Sequence, residues 1–383
     1  MSSSSRRPPE ATSVFFLIRS LEAGGAERQL VELASGLHSA GHRVLVATYY
    51  PGGALREGLV ERGVRVIDLG KKGRWDLVGF LRRLVRVLRR ERPDVLYSFL
   101  GTSNILAALA RPFAPPLKLV WSVRASFMDL KAFDRVSGLS YRVECLLSRR
   151  ADLIIANSEA GLEYAARHGF PRERMVVVHN GIDTGRFRPR PEERARMRRQ
   201  WGIAEGEVLI GILARFDPMK DHATFLRAAA LAAAERPDLR FVCIGDGPAE
   251  VSSRLAALAS EAGLDGRLVW AGGARDPVAA LNALDICCSS STGEGFSNSI
   301  AEAMACGVPC VVTDVGDSAA LVGPTGSVVP PADPPRLASA MVEAAAALSA
   351  EAREQARLRI ERNYSLPRLL ENTVQAFGTV ASD

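Results

Sequence analysis

Short apolar runs alternate with longer amphipathic stretches from one end of the chain to the other, and that alternation predicts parallel α/β sheets. The strand candidates in the first half are Val14–Ile18, Arg43–Thr48, Val64–Asp68, Val95–Phe99, Leu117–Ser122, Leu153–Ala156 and Met175–Val178. Those in the second half are Val208–Leu213, Arg240–Gly245, Arg267–Ala271, Asp285–Ser289, Val308–Thr313 and Ser327–Val329. Helical spacing fills the gaps between them, as in Ala26–Ala40 and His222–Glu235, and closes the chain at Leu366–Phe377. A turn-rich stretch from Asn180 to Pro191 contains Gly181, Gly185 and Pro189 and marks the expected boundary between two domains.

One predicted helix is strongly two-sided. On a helical wheel Leu77, Phe80, Leu81, Leu84, Val85, Val87 and Leu88 fall on one half, and Arg82, Arg83, Arg86, Arg89 and Arg90 on the other. A crossover helix must bury its apolar half against a sheet, so an exposed basic face over a packed one is the expected arrangement. Such a face also attracts an anionic membrane, by up to about 1 kcal/mol per arginine near the surface.

The chain has 383 residues, enough for two domains that each bury a full core. Its 47% hydrophobic and 24% charged residues are those of a soluble globular protein. Cys145, Cys243, Cys287, Cys288, Cys306 and Cys310 form no C-x2-C pair, and no histidine stands at ligand spacing, so neither a zinc site nor a disulfide framework is expected. Free buried thiols fit a reducing cytoplasm. The polar start Met1–Pro9 reads as a disordered tail, and Val14–Ile18 is too short for a signal-peptide core. No run approaches the roughly 18 apolar residues of a spanning helix. Charge is divided unevenly. Residues 1–190 hold 31 Lys and Arg against 18 Asp and Glu (+13), and residues 191–383 hold 18 against 25 (−7), giving the total of +6. The basic half suggests an anionic acceptor or an acidic surface as partner; a solvated face kept for solubility is the alternative.

The most informative segment is Glu294-Gly295-Phe296-Ser297-Asn298-Ser299-Ile300-Ala301-Glu302. It follows a buried-strand pattern, and helical spacing begins at Asn298, a good N-cap residue type. A helix starting there points free N–H groups and its positive dipole end outward, where a diphosphate binds. Glu294 and Glu302 then offer acceptors to sugar hydroxyls on either side; a loop charge and a surface helix residue are the plainer readings. Arg215 and Lys220 follow strand Val208–Leu213, at the end of a parallel strand where α/β sheets bind ligands. A guanidinium and an ammonium there can neutralise a departing diphosphate without a metal. Trp270-Ala271-Gly272-Gly273 closes another strand, so backbone there could read a base edge while Arg275 stacks on its face. Gly245-Asp246-Gly247-Pro248 reads as a structural turn. In the first half, Gly24-Gly25 opens a helix after the first strand, and Trp121–Ser126 ends another. Arg19 and Arg124 are candidates for an anionic acceptor. Asp129 is either the acceptor's base or an ordinary loop charge.

Taken in order, Gly24-Gly25-Ala26-Glu27, Val178–Asp183, Leu213–Phe216 with Lys220, Ile244–Pro248, Glu294–Gly307 and Val311–Gly316 resemble the retaining glycosyltransferases of the GT-B fold, family 4. The resemblance covers most of the chain. It implies two Rossmann-like parallel-sheet domains facing each other across a cleft. The expected division is a tail at 1–11, an acceptor-binding domain at 12–185, a nucleotide-sugar domain at 186–363, and a helix at 364–383 crossing back. It further implies that a sugar passes from a nucleotide sugar, expected to be UDP-linked, to a glycan or lipid-linked acceptor with retained configuration, in polysaccharide or glycoconjugate synthesis. Arg215, Lys220 and Glu294 would carry the chemistry. Gly25, Gly272, Arg275, Gly295, Phe296, Ser297, Asn298, Ser299 and Glu302 would bind the donor, Glu294 holding sugar hydroxyls and Glu302 the nucleotide ribose. Many of the related enzymes have a histidine where this chain has Arg124, and a glycine where it has Asp221. No Asp-x-Asp triplet is present, so no metal and no cofactor are expected, and nucleic acid is not a partner. The expected location is the cytoplasm, with peripheral contact at the inner face of the membrane. Competing readings are a nucleotide-sugar epimerase on the same fold, a NAD-dependent enzyme and a non-catalytic sugar-nucleotide binder. The NAD reading fails on the missing G-x-G-x-x-G after the first strand.

Overall fold

All thirteen predicted runs form strands, and central ones such as Ser13–Ile18 and Ile286–Ser289 are buried on both faces, as parallel sheets require. The computed structural model describes residues 11–73, 75–124, 135–273 and 276–381. The chain divides into two units: residues up to His179 together with those from Leu369 onward, and Asn180–Arg368.

The first unit holds β1 (Ser13–Ile18), β2 (Arg43–Thr48), β3 (Arg65–Asp68), β4 (Val95–Phe99), β5 (Lys118–Val123), β6 (Leu153–Ala156) and β7 (Met175–Val177). They lie in the order β3-β2-β1-β4-β5-β6-β7, every pair parallel. Phe16, Tyr97 and Phe99 form one ring cluster on this sheet, with centroids 4.8–5.9 Å apart. The closing helix, Leu366–Ala381, adds Phe377 against Tyr97 at 5.8 Å. It passes so close to the helix Gly25–Ser39 that a Cβ on Gly36 would sit 2.6 Å from Leu370 Cδ2. The two-sided helix Leu77–Glu91 buries Phe80, Leu84 and Leu88 and leaves Arg82, Arg86, Arg89 and Arg90 exposed.

The second unit holds β8 (Val208–Leu213), β9 (Leu239–Ile244), β10 (Leu268–Gly272), β11 (Ile286–Ser289), β12 (Cys310–Thr313) and β13 (Ser327–Val329). Their order is β10-β9-β8-β11-β12-β13, again all parallel. β12 begins two residues later than the apolar run suggested, after Pro309, which has no N–H to give a ladder. Gly211 in β8 lets Leu284 close over the strand, since a Cβ there would meet Leu284 Cδ2 at 2.5 Å. At the start of β11, buried Asp285 accepts from Arg194 and Arg353 on one oxygen and from Arg198 and the Leu209 N–H on the other. Although burial pushes this carboxyl up, the arginines and the N–H together hold it below the ordinary aspartate range.

Strand order reverses between β1 and β4 in the first sheet and between β8 and β11 in the second. At such a switch point the loops leaving the two central strands diverge and open a crevice beyond their carboxyl ends.

Candidate functional site

At the second sheet's switch point the two diverging loops are stitched together. Lys220, leaving β8, pairs with Glu294 Oε1, leaving β11, and Ser291 Oγ donates to the same oxygen at 2.8 Å. The side chains are 27% and 10% exposed, so the pair lies below the surface but within reach of a ligand. Ser290 Oγ donates to the carbonyls of Lys220 and Asp221, both at 2.9 Å, and the Thr292 N–H to Met219 O at 2.9 Å. Thr313 Oγ1 holds Ser291 O from β12 at 2.6 Å. Gly316 closes the far side. Its φ is +56°, and a Cβ there would stand 2.1 Å from Glu294 O, so only glycine lets this backbone approach.

The Lys220 loop has a tight build. Asp217 caps a short turn at Pro218–Lys220 by accepting from Met219 N at 2.9 Å. Asp221 then takes a left-handed conformation, φ 43° and ψ 54°, and caps the helix His222–Glu235 through Thr224. Glycine is free in that conformation, while aspartate tolerates it through its local hydrogen bonds. Arg215 is exposed and has no side-chain partner among the described residues. Its neighbours are fixed. Phe216 N donates to Asp246 O at 2.8 Å, a Cβ on Gly245 would lie 1.9 Å from Ala214 O, and one on Gly247 2.6 Å from Phe216 Cβ. Gly245-Asp246-Gly247 thus serves as the structural turn expected of it. Gly272, with φ +68°, ends β10 and accepts from Gly245 N at 2.8 Å. Arg275 lies outside the described residues.

The helix after Glu294 runs from Asn298 to Ala305, and the expectation for its start needs correcting. Ser297 is the N-cap residue, without a side-chain cap bond, and Asn298 is already helical. Asn298 Oδ1 instead accepts from Asn180 Nδ2 at 2.8 Å, an interaction with a residue 118 positions away. The uncapped helix start keeps its positive end available to an anion. Gly295, Asn298 and Ser299 are half-buried, whereas Phe296 and Ser297 are buried, the Phe296 ring anchored on Tyr364 at 5.4 Å. Glu302 is 6% exposed, so it is not a surface helix residue.

In the first unit, Gly25 is the exposed first residue of its helix after Gly24 as N-cap. Arg19 is exposed at the end of β1, and its carbonyl accepts from Tyr49 N at 3.0 Å. Arg124 behaves differently. Its guanidinium lies 4.7 Å from the centre of the Phe99 ring, and its Nε donates to Ser122 Oγ at 2.5 Å. Arg124 is half-buried, and burial lowers its pKa, opposed by the Tyr97 phenol. Asp129 lies outside the described residues.

The structure therefore joins Lys220 with Glu294 and sets Arg215 five positions before Lys220 in the same loop. Ser290 and Ser291 were not singled out from the sequence, and Thr313 and Gly316 entered only as part of the Val311–Gly316 segment. Three consecutive serines before Gly-Glu-Gly were the available sign, but serine runs are common in loops. His222, buried just after Lys220, was also passed over.

Comparison with known proteins adds the following. The family model described as Glycosyltransferase Family 4 matches residues 23–186, and that described as Glycosyl transferases group 1 matches residues 207–347. A D-inositol 3-phosphate glycosyltransferase of Thermobispora bispora is 31% identical over 84% of this chain and 82% of its own length. A GDP-mannose-dependent alpha-mannosyltransferase of Mycolicibacterium smegmatis is 30% identical over 78% of each. Among solved structures, Anabaena Alr3699/HepE in complex with UDP superposes with a TM-score of 0.84 at 23% identity, covering 96% of this chain and 100% of that one. The same protein has been solved with UDP-glucose.

Proposed function

The chain belongs to glycosyltransferase family 4, the group 1 glycosyl transferases, is a glycosyltransferase with the GT-B fold, and on that premise we propose that its donor is a UDP-linked sugar. The observation that carries the proposal is the Lys220–Glu294 pair at the second sheet's switch point, beside exposed Arg215 and an uncapped helix start. A nucleotide sugar offers this place two complementary groups. Its diphosphate takes Lys220, Arg215 and the N–H groups at Asn298–Ser299, and its sugar hydroxyls take the Glu294 carboxylate that Lys220 releases. Glu302 holds the ribose. Arg275 and Gly272 attend the base.

In the reaction the bond from the sugar's anomeric carbon to the phosphate oxygen breaks, and the acceptor oxygen bonds to that carbon on the same face. The acceptor's proton passes to the departing phosphate oxygen, so configuration is retained without an enzyme nucleophile. Lys220 and Arg215 neutralise the charge that grows on the diphosphate, in place of a metal. The bound neighbour supports uridine as the base; the mannosyltransferase relative makes GDP-mannose the donor to test beside it. The acceptor is a glycan or a lipid-linked glycan, met by the basic first unit through Arg19. The exposed Arg82, Arg86, Arg89 and Arg90, with Trp75 89% exposed and Val78 62% exposed beside them, support loose docking on an anionic membrane. No helix among the described residues is long and apolar enough to cross one.

The test is to supply purified protein with a panel of UDP-, GDP- and ADP-sugars and to measure free nucleoside diphosphate. Release of UDP supports the reading. Interconversion of a UDP-sugar without release would establish the epimerase instead, and release only of GDP would move the donor assignment.

A further inference from the structure

Asn180, the first residue of the second unit, is 4% exposed, and its side chain serves a residue 118 positions away. Its Nδ2 donates to Asn298 Oδ1 at 2.8 Å. The segment that follows Asn180 is held from two sides. Ile182 N donates to Tyr364 O at 2.8 Å, and Ile182 O accepts from Leu366 N at 3.0 Å. Arg357 donates to the carbonyls of Thr184 and Phe187, both at 3.2 Å. Tyr364 also carries the Phe296 ring, so one framework fixes both Asn180 and the approach to the helix Asn298–Ala305.

The direction of the bond matters, because a carboxamide has an acceptor end and a donor end. With Oδ1 engaged by Asn180, the end of Asn298 left over is Nδ2, which makes no hydrogen bond to any described residue. Asn298 is half-buried at the first position of a helix whose N-cap, Ser297, makes no side-chain bond. A reversed amide would set an oxygen beside the helix start, where it would compete for the free N–H groups and repel a phosphate.

We propose that Asn180 is a positioning residue for the donor's diphosphate: by holding Asn298 Oδ1 it leaves Asn298 Nδ2 and the helix-start N–H groups to donate to the phosphate oxygens. The proposal rests on the donor-site reading above. It adds a neutral donor to the charges of Lys220 and Arg215, and one fixed before the ligand arrives costs the ligand little to order. Asn180 acts only through Asn298, and it acts on the phosphates rather than on the nucleoside.

The experiment is a double-mutant cycle of the native chain, Asn180→Ala, Asn298→Ala and the two together, with thermal unfolding as the fold control. UDP and GDP are titrated by calorimetry, and uridine and guanosine by ligand-observed NMR. Nucleoside diphosphate affinity should fall by about tenfold in Asn298→Ala and about fivefold in Asn180→Ala, with nucleoside affinity within about twofold of native in both. The double variant should lose about tenfold, as Asn298→Ala does alone, because Asn180 then has nothing left to orient. Native nucleoside diphosphate affinity in Asn180→Ala would overturn the proposal. So would a loss of about fiftyfold in the double variant, the product of two independent effects, and so would a parallel fall for the nucleoside, the mark of general deformation. Should Asn180→Ala fail to fold, Asn180→Leu, which keeps the bulk and lacks the donor, replaces it under the same criteria. A native chain that binds neither UDP nor GDP would instead refute the donor reading itself.

Discussion

The two switch points of this protein are built from the same α/β plan but use their charges in opposite ways. In the second sheet, cation and carboxylate meet across the crevice, held by Ser290, Ser291 and Thr313 and backed by Gly316. In the first sheet, Arg19 stands exposed at the end of β1, while half-buried Arg124 lies over the Phe99 ring. Leu100, which follows β4, adopts φ 73° and ψ 154°, a region that side-chain-bearing residues seldom enter. The contrast fits two kinds of ligand. A diphosphate sugar is the same chemical object in many enzymes and is served by a rigid, charge-matched cradle. An acceptor differs from one enzyme to the next, and the charge exposed at the end of β1 is Arg19.

If the second crevice is the donor cradle, disturbing it should matter most. Lys220→Ala should lower the transfer rate by roughly 100- to 1000-fold with a smaller change in donor affinity, as expected for a charge that acts on the leaving group. Initial rates across donor concentrations check this, and an unchanged maximal rate would remove the role assigned to Lys220.

The next effect concerns stability. His222 has a folded pKa of about 4 against an ordinary 6.5, so the unfolded chain takes up that proton first as pH falls. Its contribution is full above pH 6.5 and is lost on the way down to about 4, on the order of 3 kcal/mol in total. Denaturant titrations across that range should show native protein losing stability that His222→Asn retains; parallel curves would mean the ring is not buried neutral.

Glu302→Ala should weaken nucleotide-sugar binding by about tenfold, near 1.4 kcal/mol, through loss of a charged acceptor for the ribose. Calorimetry with UDP-glucose reads it. The smallest effect belongs to the first crevice. Arg19→Ala should change UDP affinity by less than about twofold, confining its influence to the acceptor. A large loss of UDP binding there would erase the distinction between the two crevices.

The architecture was legible because a parallel strand buried on both faces must be apolar almost throughout, as β1 and β11 are. The placement of Arg215, Lys220 and Glu294 in the loops leaving β8 and β11 was legible because those loops follow clearly apolar strands. What escaped depended on distant partners. Asn298 looked like a cap from its local sequence, but its side chain answers to Asn180 instead. Arg124 reads from its place as a cation at a strand end; its packing on Phe99, far back in the chain, was not legible.

Gly316 sets a practical boundary for anyone wishing to redirect the enzyme to another sugar. The half-buried position Ser299 can be randomised, whereas the Asn298 side chain is tied to Asn180 and should be kept. Gly316 cannot join such a library: a Cβ there would stand 2.1 Å from the Glu294 carbonyl and displace the backbone that carries the Glu294 carboxylate. Useful diversity therefore sits at the rim, and the floor should be inherited unchanged.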